Sequence, residues 1–181
     1  MSETKKVTLG SGYVYIMEFD GTIPDDEVIE TDENRLAYIK SGATLSYTPT
    51  FYEARDDNDD VVEEYLIEEE IILRLGLMTW TGKTLEKLSS TARVTETAGT
   101  RTVKIGGTAN HDHVKYLVRF VHKSKALRVT IVGSNQNGFE LAFAKDAETV
   151  IDAEFKANKA LDSEGTKLIY EETIPETTPE E

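Results

Sequence analysis

Three sets of side chains in this sequence have the types that chemistry uses. The first is Gly82-Lys83-Thr84, set between a strand-like run and a helical one. A phosphate-cradling loop has the form G-x-x-x-x-G-K-[ST], with backbone amides wrapping the anion. Here five residues, Leu77, Met78, Thr79, Trp80 and Thr81, separate Gly76 from Gly82. Bulky Leu, Met and Trp suit a buried strand better than such a loop, and a nucleotide fold needs helices alternating with parallel strands. The second set is His111 and His113, which would share a face on a strand, with His122 as a conceivable third ligand. Asn110 to His113 reads as a loop, so these are expected to be surface histidines. The third set is the acids. Glycoside hydrolysis needs two carboxyls at a fixed separation in a cleft, and nothing marks two out. There is no Gly-x-Ser-x-Gly. Zero cysteines exclude disulfides, thiolate metal sites and a cysteine nucleophile. The expectation is a protein that is not an enzyme and uses no cofactor or metal.

The charge is segregated. Net charge is -14 over 181 residues. Residues 20–34 hold seven acids and no base; residues 53–70 hold ten acids and only Arg55; residues 171–181 hold five acids and no base. From Ile72 to Lys145 the balance reverses, with twelve Lys or Arg against four acids. The ordinary reading of an acidic run is a solvated surface. Segregation adds a second reading, in which acidic and basic regions of successive copies stack head to tail. Overall acidity argues against gripping nucleic-acid phosphates. No apolar run approaches the length of a membrane span and no signal peptide is visible, so no membrane anchor is expected.

The elements that would carry these groups are mostly strands. The chain is organised around Lys40 to Trp80, two long runs flanking an acidic loop. Ala43, Leu45, Tyr47, Pro49 and Phe51 alternate against Thr44, Ser46, Thr48 and Thr50, which predicts a strand with one buried face. In the second run Tyr65, Ile67, Ile71, Leu73 and Leu75 share a parity, interrupted by Glu69. Each run extends for roughly 12 residues, or ~40 Å, against the usual five or six residues of a strand. Such a hairpin protrudes beyond a small core or pairs with another subunit. Other strands are expected at 12–19, 92–96, 101–105, 114–122, 127–132, 139–143, 150–157 and 168–170. Residues 20–31 read as a loop with little to bury, and residues 33–39 as either a helical turn or a strand lead-in. Gly82 to Leu88 is the one helix, capped by Thr81 or Thr84, with Leu85 and Leu88 facing a core. The predicted fold is mainly β: an antiparallel sandwich or barrel with one flanking helix, a long protruding hairpin and terminal arms.

Several segments in this order carry a family resemblance. They are Tyr38-Ile39-Lys40-Ser41-Gly42-Ala43-Thr44-Leu45, Phe51-Tyr52-Glu53-Ala54, Leu77-Met78-Thr79-Trp80 and Gly82 to Leu88. They continue with Arg101 to Gly107, Arg119-Phe120-Val121-His122, Arg128 to Gly133, Gly138 to Ala144 and Val150 to Phe155. No single piece is a catalytic signature, but the succession resembles the major tail tube proteins of long-tailed (siphovirus-type) bacteriophages.

That resemblance implies a structural protein of the virion tail, made in the host cytoplasm. It would form stacked hexameric rings around the tape-measure protein. Tail terminator and baseplate or distal tail proteins would be its neighbours, and DNA would later pass through without tight binding. It also implies a single domain over residues 1–171, with an N-terminal arm at about 1–12, an inter-ring loop at about 54–64 and a disordered acidic tail at 172–181. The expected inter-ring contacts are Arg55, Asp56, Asp57, Asn58, Asp59, Asp60, Glu63 and Glu64. The expected lumen-facing acids, on the polar parity of the hairpin, are Glu68 and Glu70, with Glu63 or Glu64 as further candidates. The alternative is a monomeric β-sandwich binding module of the adhesin or carbohydrate-binding type. It would show exposed aromatics and stay monomeric at high concentration.

Overall fold

The structure, a computed structural model, describes residues 11–174. Most of the expected arm at 1–12 and tail at 172–181 therefore lies outside the described residues. Within the described residues, Gly12 belongs to the first strand and Glu172 to the last.

The fold is mainly β and antiparallel. In chain order the elements are β1 (Gly12–Glu18), α1 (Asp26–Ile29), β2 (Arg35–Ala37), β3 (Ile39–Arg55), β4 (Val61–Leu77) and α2 (Gly82–Leu88). They continue with β5 (Arg93–Thr97), β6 (Thr100–Lys104), β7 (Tyr116–His122), β8 (Leu127–Asn135), β9 (Ile151–Ala157) and β10 (Leu168–Glu172). One sheet runs β2-β1-β7-β8-β9-β4-β3, with β10 also paired to β8; β5 and β6 form a separate hairpin. The ends of this sheet, β2 and β3, are consecutive in the chain and parted only by Tyr38. That residue ties the two edges together. The Met78 amide donates to its carbonyl at 2.9 Å, and its own amide donates to Thr79 Oγ1 at 2.8 Å. The sheet thus curls around one core, where Val14 and Ile16 of β1 meet Leu73, Leu75 and Leu77 of β4, Ile131 of β8 and Phe155 of β9.

Helix α2 lies where the sequence places it and closes this core with Leu85 and Leu88. Its start is held by Thr84 Oγ1, which accepts from the Thr81 amide at 3.1 Å. Gly82 is there for packing. A Cβ at that position would meet Arg101 Cδ and Val103 Cγ2 at 2.8 Å, because the β5–β6 hairpin lies against the helix. Gly-Lys-Thr is thus a strand-to-helix junction with a hairpin pressed on it, not an open loop.

Two expectations fail for identifiable reasons, and one open reading is resolved. Residues 20–31 are not all loop: α1 forms there, and Ile29 is completely buried with Tyr15, Leu117, Val121, Val132 and Leu161 on the outer face of the sheet. Two of the acids that suggested a solvated loop, Asp26 and Glu30, are paired from below. Arg119, whose side chain is 4% exposed, pairs with Asp26 and lies 3.8 Å from Glu30. Arg128 reaches Glu30 at 2.5 Å and Asp26 at 3.4 Å, and the Glu30 hydrogen bond holds its guanidinium above its ordinary value. Of the two readings left open for residues 33–39, the strand lead-in holds: a turn through residue 34 leads into β2, Arg35–Ala37. Residues 139–143 form no strand. Asn135 Nδ2 donates to Gly138 O at 2.6 Å and to Leu88 O at 2.9 Å, and Gly138 has φ 64. The chain is turned out of the sheet there, while Phe139 and Leu141 still pack on the core from irregular structure.

Candidate assembly surface

The hairpin β3–β4 is longer than the roughly 12 residues per run expected from the sequence, with 17 residues on each strand. Its core-side half is anchored. Leu45 faces Leu73 and Tyr47 faces Ile71, and β9 pairs the other side of β4 from Ile72 to Leu77. Residues opposite each other on an antiparallel pair share a face. One face therefore carries Ala43, Leu45, Tyr47 and Pro49 with Leu75, Leu73, Ile71 and Glu69.

The outer half departs from simple alternation. Thr50 faces Glu68 but Phe51 faces Leu66, so Ile67 is an extra residue in β4, a bulge. The bulge shifts parity by one. It keeps Leu66 on the apolar face with Phe51 and sends Tyr65 to the opposite face with Tyr52. The predicted grouping of Tyr65 with Ile71 is thus corrected by a residue that alternation alone cannot register.

The predicted buried face is buried only at its base. Ile71, Leu73 and Leu75 are in the core, but Leu45 is 36%, Tyr47 51%, Phe51 49% and Leu66 49% exposed. Val61, Val62 and Ile67 are also exposed. Among the described residues nothing pairs with the outer edge of β3. A long, unpaired edge bearing apolar side chains is a template for another chain.

The expected loop at 54–64 is narrower than anticipated, because Ala54, Arg55 and residues 61–64 belong to the strands. The turn proper is Asp56 to Asp60, and it is internally bonded. Asp56 N–H donates to Asp60 O and Asp59 N–H to Asp56 O, both at 3.0 Å. The Asp56 carboxylate accepts from the Asn58 amide at 2.9 Å and the Asp60 amide at 3.0 Å, and these amides hold its carboxyl below the usual range. Asp59 adopts φ 68, and Arg55 donates to its carbonyl at 2.9 Å while pairing with Glu53. The acids at the tip face solvent.

Register separates the remaining expected contacts. Glu63, opposite Ala54, falls on the polar face, and Glu64, opposite Glu53, on the apolar one. Glu68 and Glu70 share the polar face with Thr48 and Thr50, as predicted from parity. This face is not purely acidic: Lys156 of β9 pairs with Glu70 at 2.6 Å, and Arg74 with Glu154 at 3.0 Å.

His111 and His113 stand with ring centroids 4.2 Å apart, while His122 lies at the end of β7 against Ser124 Oγ at 2.8 Å. The structure brings the first two together and leaves the third elsewhere. Two features were not anticipated. One is the ion network beneath α1, whose signal in the sequence was the lone apolar pair Val28-Ile29 inside an acidic run. The other is a cleft lined by Arg35, Lys83 and Lys87, contributed by β2 and α2, for which separation in sequence left no local signal. No helix among the described residues is long and apolar enough to cross a membrane. Comparison with protein-family models and with curated proteins finds no match.

Proposed function

We propose that this chain is a structural tail tube protein of a bacteriophage virion, assembling as hexameric rings that stack into a hollow tube. The observation that carries the reading is the hairpin, which projects an apolar face and an unpaired edge beyond the core that anchors it. Fully burying a side chain such as Phe51 or Leu66 contributes roughly 1.5–3 kcal/mol, and with each 49% exposed about half of that is unrealised in a lone subunit. Joining such edges between subunits removes them from solvent. The tube encloses the tape-measure protein, is bounded by terminator and baseplate or distal tail proteins, and conducts DNA without holding it. The protein acts without catalysis or cofactor, in the host cytoplasm during assembly and then in the virion tail.

A lumen wall built from the polar face presents Thr48, Thr50, Glu68 and the Glu70–Lys156 pair to passing phosphates. Hydroxyls and internally paired charges offer DNA little to bind. One observation favours the second reading, a monomeric binding module: Tyr47, Phe51, Tyr52 and Tyr65 are exposed aromatics. Register divides them between the two faces, which suits a wall contacted on both sides better than one binding patch. The deciding experiment is negative-stain microscopy of the purified chain, alone and with its tape-measure and initiator proteins. Rings or tubes are expected. Monomers under every condition, with a ligand captured on the aromatics, would establish the binding module instead.

A further inference from the structure

The cleft between β2 and α2 is cationic and lies at the far end of the molecule from the acidic turn. It measures about 280 Å³, and Arg35, Lys83 and Lys87 line it beside Trp80. Glu33 is the one acid on its lining, with Glu18 and Glu86 close enough to act on Lys87. Among the described residues none of the three cations forms an ion pair. Arg35 lies over the rings of Tyr13 and Tyr38, at 4.5 and 4.3 Å, and its buried Nε has no hydrogen-bond partner. Lys87 is half-buried with its Nζ 3.4 Å from Ile16 O, and burial pushes its ammonium below the ordinary value. Arg35 and Lys87, half-buried without a paired carboxylate, gain most from an incoming anion, and the exposed Lys83 adds charge beside them.

The chain itself carries that anion, but not within reach. The cleft residues follow directly on Leu77, which pairs with Ile39 at the base of the hairpin. The turn Asp56 to Asp60 stands at the other end of β3, 17 residues away, on the order of 50 Å at ~3.3 Å per residue. A subunit cannot fold its own tip back into its own cleft. A second copy, related by translation along the strand direction, can supply it.

We propose that the Asp56–Asp60 turn of one copy seats in the Arg35–Lys83–Lys87 cleft of the next, a heterologous contact that repeats along an axis. This rests on the tube reading and names the receiving surface of the contact between rings. One contact of this kind is weak and sensitive to salt; a ring engages several at once, and the linkage makes them cooperative.

Trp80 is the only tryptophan, so its fluorescence reports occupancy of the cleft. The probe is a synthetic peptide of residues 53–65, titrated into the full chain. The expected result is a saturable change in Trp80 emission that weakens with salt, falls at least tenfold in affinity for Lys83→Glu/Lys87→Glu, and is absent with a scrambled peptide of equal charge. Equal response to the scrambled peptide overturns the proposal, since it shows attraction of charge alone. The second arm uses assembly. A chain with Asp56, Asp57, Asp59 and Asp60 all changed to Lys, and the Lys83→Glu/Lys87→Glu chain, each fail to stack alone and stack when mixed. Circular dichroism and melting verify that each is folded, and Lys83→Glu alone, at an exposed position, serves if the pair is not. Tubes formed by both reversed chains separately sink the cleft contact and leave the tube reading standing. A specific peptide response from a chain that never assembles supports the cleft and sinks the tube.

Discussion

Arg119 shows how a single residue sets the chemistry of a whole face. Its guanidinium is buried, donates through Nε to Thr130 Oγ1 at 2.9 Å, and is balanced by the carboxylates of Asp26 and Glu30. The Glu30 side chain is 10% exposed and serves both arginines, whereas that of Asp26 is 49% exposed. Glu30→Ala therefore leaves two cations under-compensated and is expected to cost about 3–5 kcal/mol. Asp26→Ala is expected to cost about 1 kcal/mol or less, and urea unfolding midpoints of the two variants check the order. Tyr116 supplies a pH test. Burial pushes its phenol up to about 12, so the fold favours the neutral form. That contribution is complete below the ordinary phenol value of about 10 and is lost as pH rises from there through about 12. Ultraviolet titration should show a late-ionising tyrosine component that shrinks in Tyr116→Phe, and stability should fall over the same interval.

At the scale of elements, the hairpin predicts an unusual separation of stability from assembly. Phe155→Ala, in the core, is expected to cost about 3–5 kcal/mol. Phe51→Asp and Leu66→Asp, on the exposed apolar face, are expected to stay within about 0.5 kcal/mol of the parent yet abolish rings and tubes. Melting curves beside micrographs check both halves. A marked loss of stability in Phe51→Asp would place that face in the subunit's own core. Gly133 makes a related point, because a Cβ there would meet Lys156 O at 1.8 Å. Gly133→Val should push β8 from β9 and cost about 1–3 kcal/mol or more, with the Glu70–Lys156 pair lost alongside.

The same elements show what was legible in the sequence. Alternation from Ala43 to Phe51 and the Leu85/Leu88 spacing located β3 and α2, because local periodicity is a local property. The bulge at Ile67 was not legible, since one extra residue leaves both flanking runs alternating. Nor was the exposure of Tyr47, Phe51 and Leu66, because periodicity says that a strand has two faces and not what covers them. Phe139 to Phe143 read as a strand, and Phe139 and Leu141 do pack, but two hydrogen bonds from Asn135 turn the chain aside. Parity placed Glu68 and Glu70 on one face; Lys156, 86 residues from Glu70 in sequence, could reach it only through the fold.

Across the whole molecule, strand direction defines an axis with an acidic turn at one end and a cationic cleft at the other. Among the described residues, a single copy cannot bring these two ends together and leaves its longest edge unpaired. On this account the isolated domain is a stable part that becomes complete only among copies of itself. Duplex DNA should not be retained by chain or tube at physiological salt in an electrophoretic mobility assay; tight, salt-sensitive retention would contradict the lumen assigned to the polar face. The most direct measurement is a three-dimensional electron-microscopy reconstruction of the particles formed with the tape-measure protein. The account predicts six-fold rings stacked along one axis, with Phe51 and Leu66 buried between subunits and Glu68 and Glu70 toward the channel. Particles in which the β3–β4 hairpins remain free in solvent, or no ordered particle at all, would contradict it.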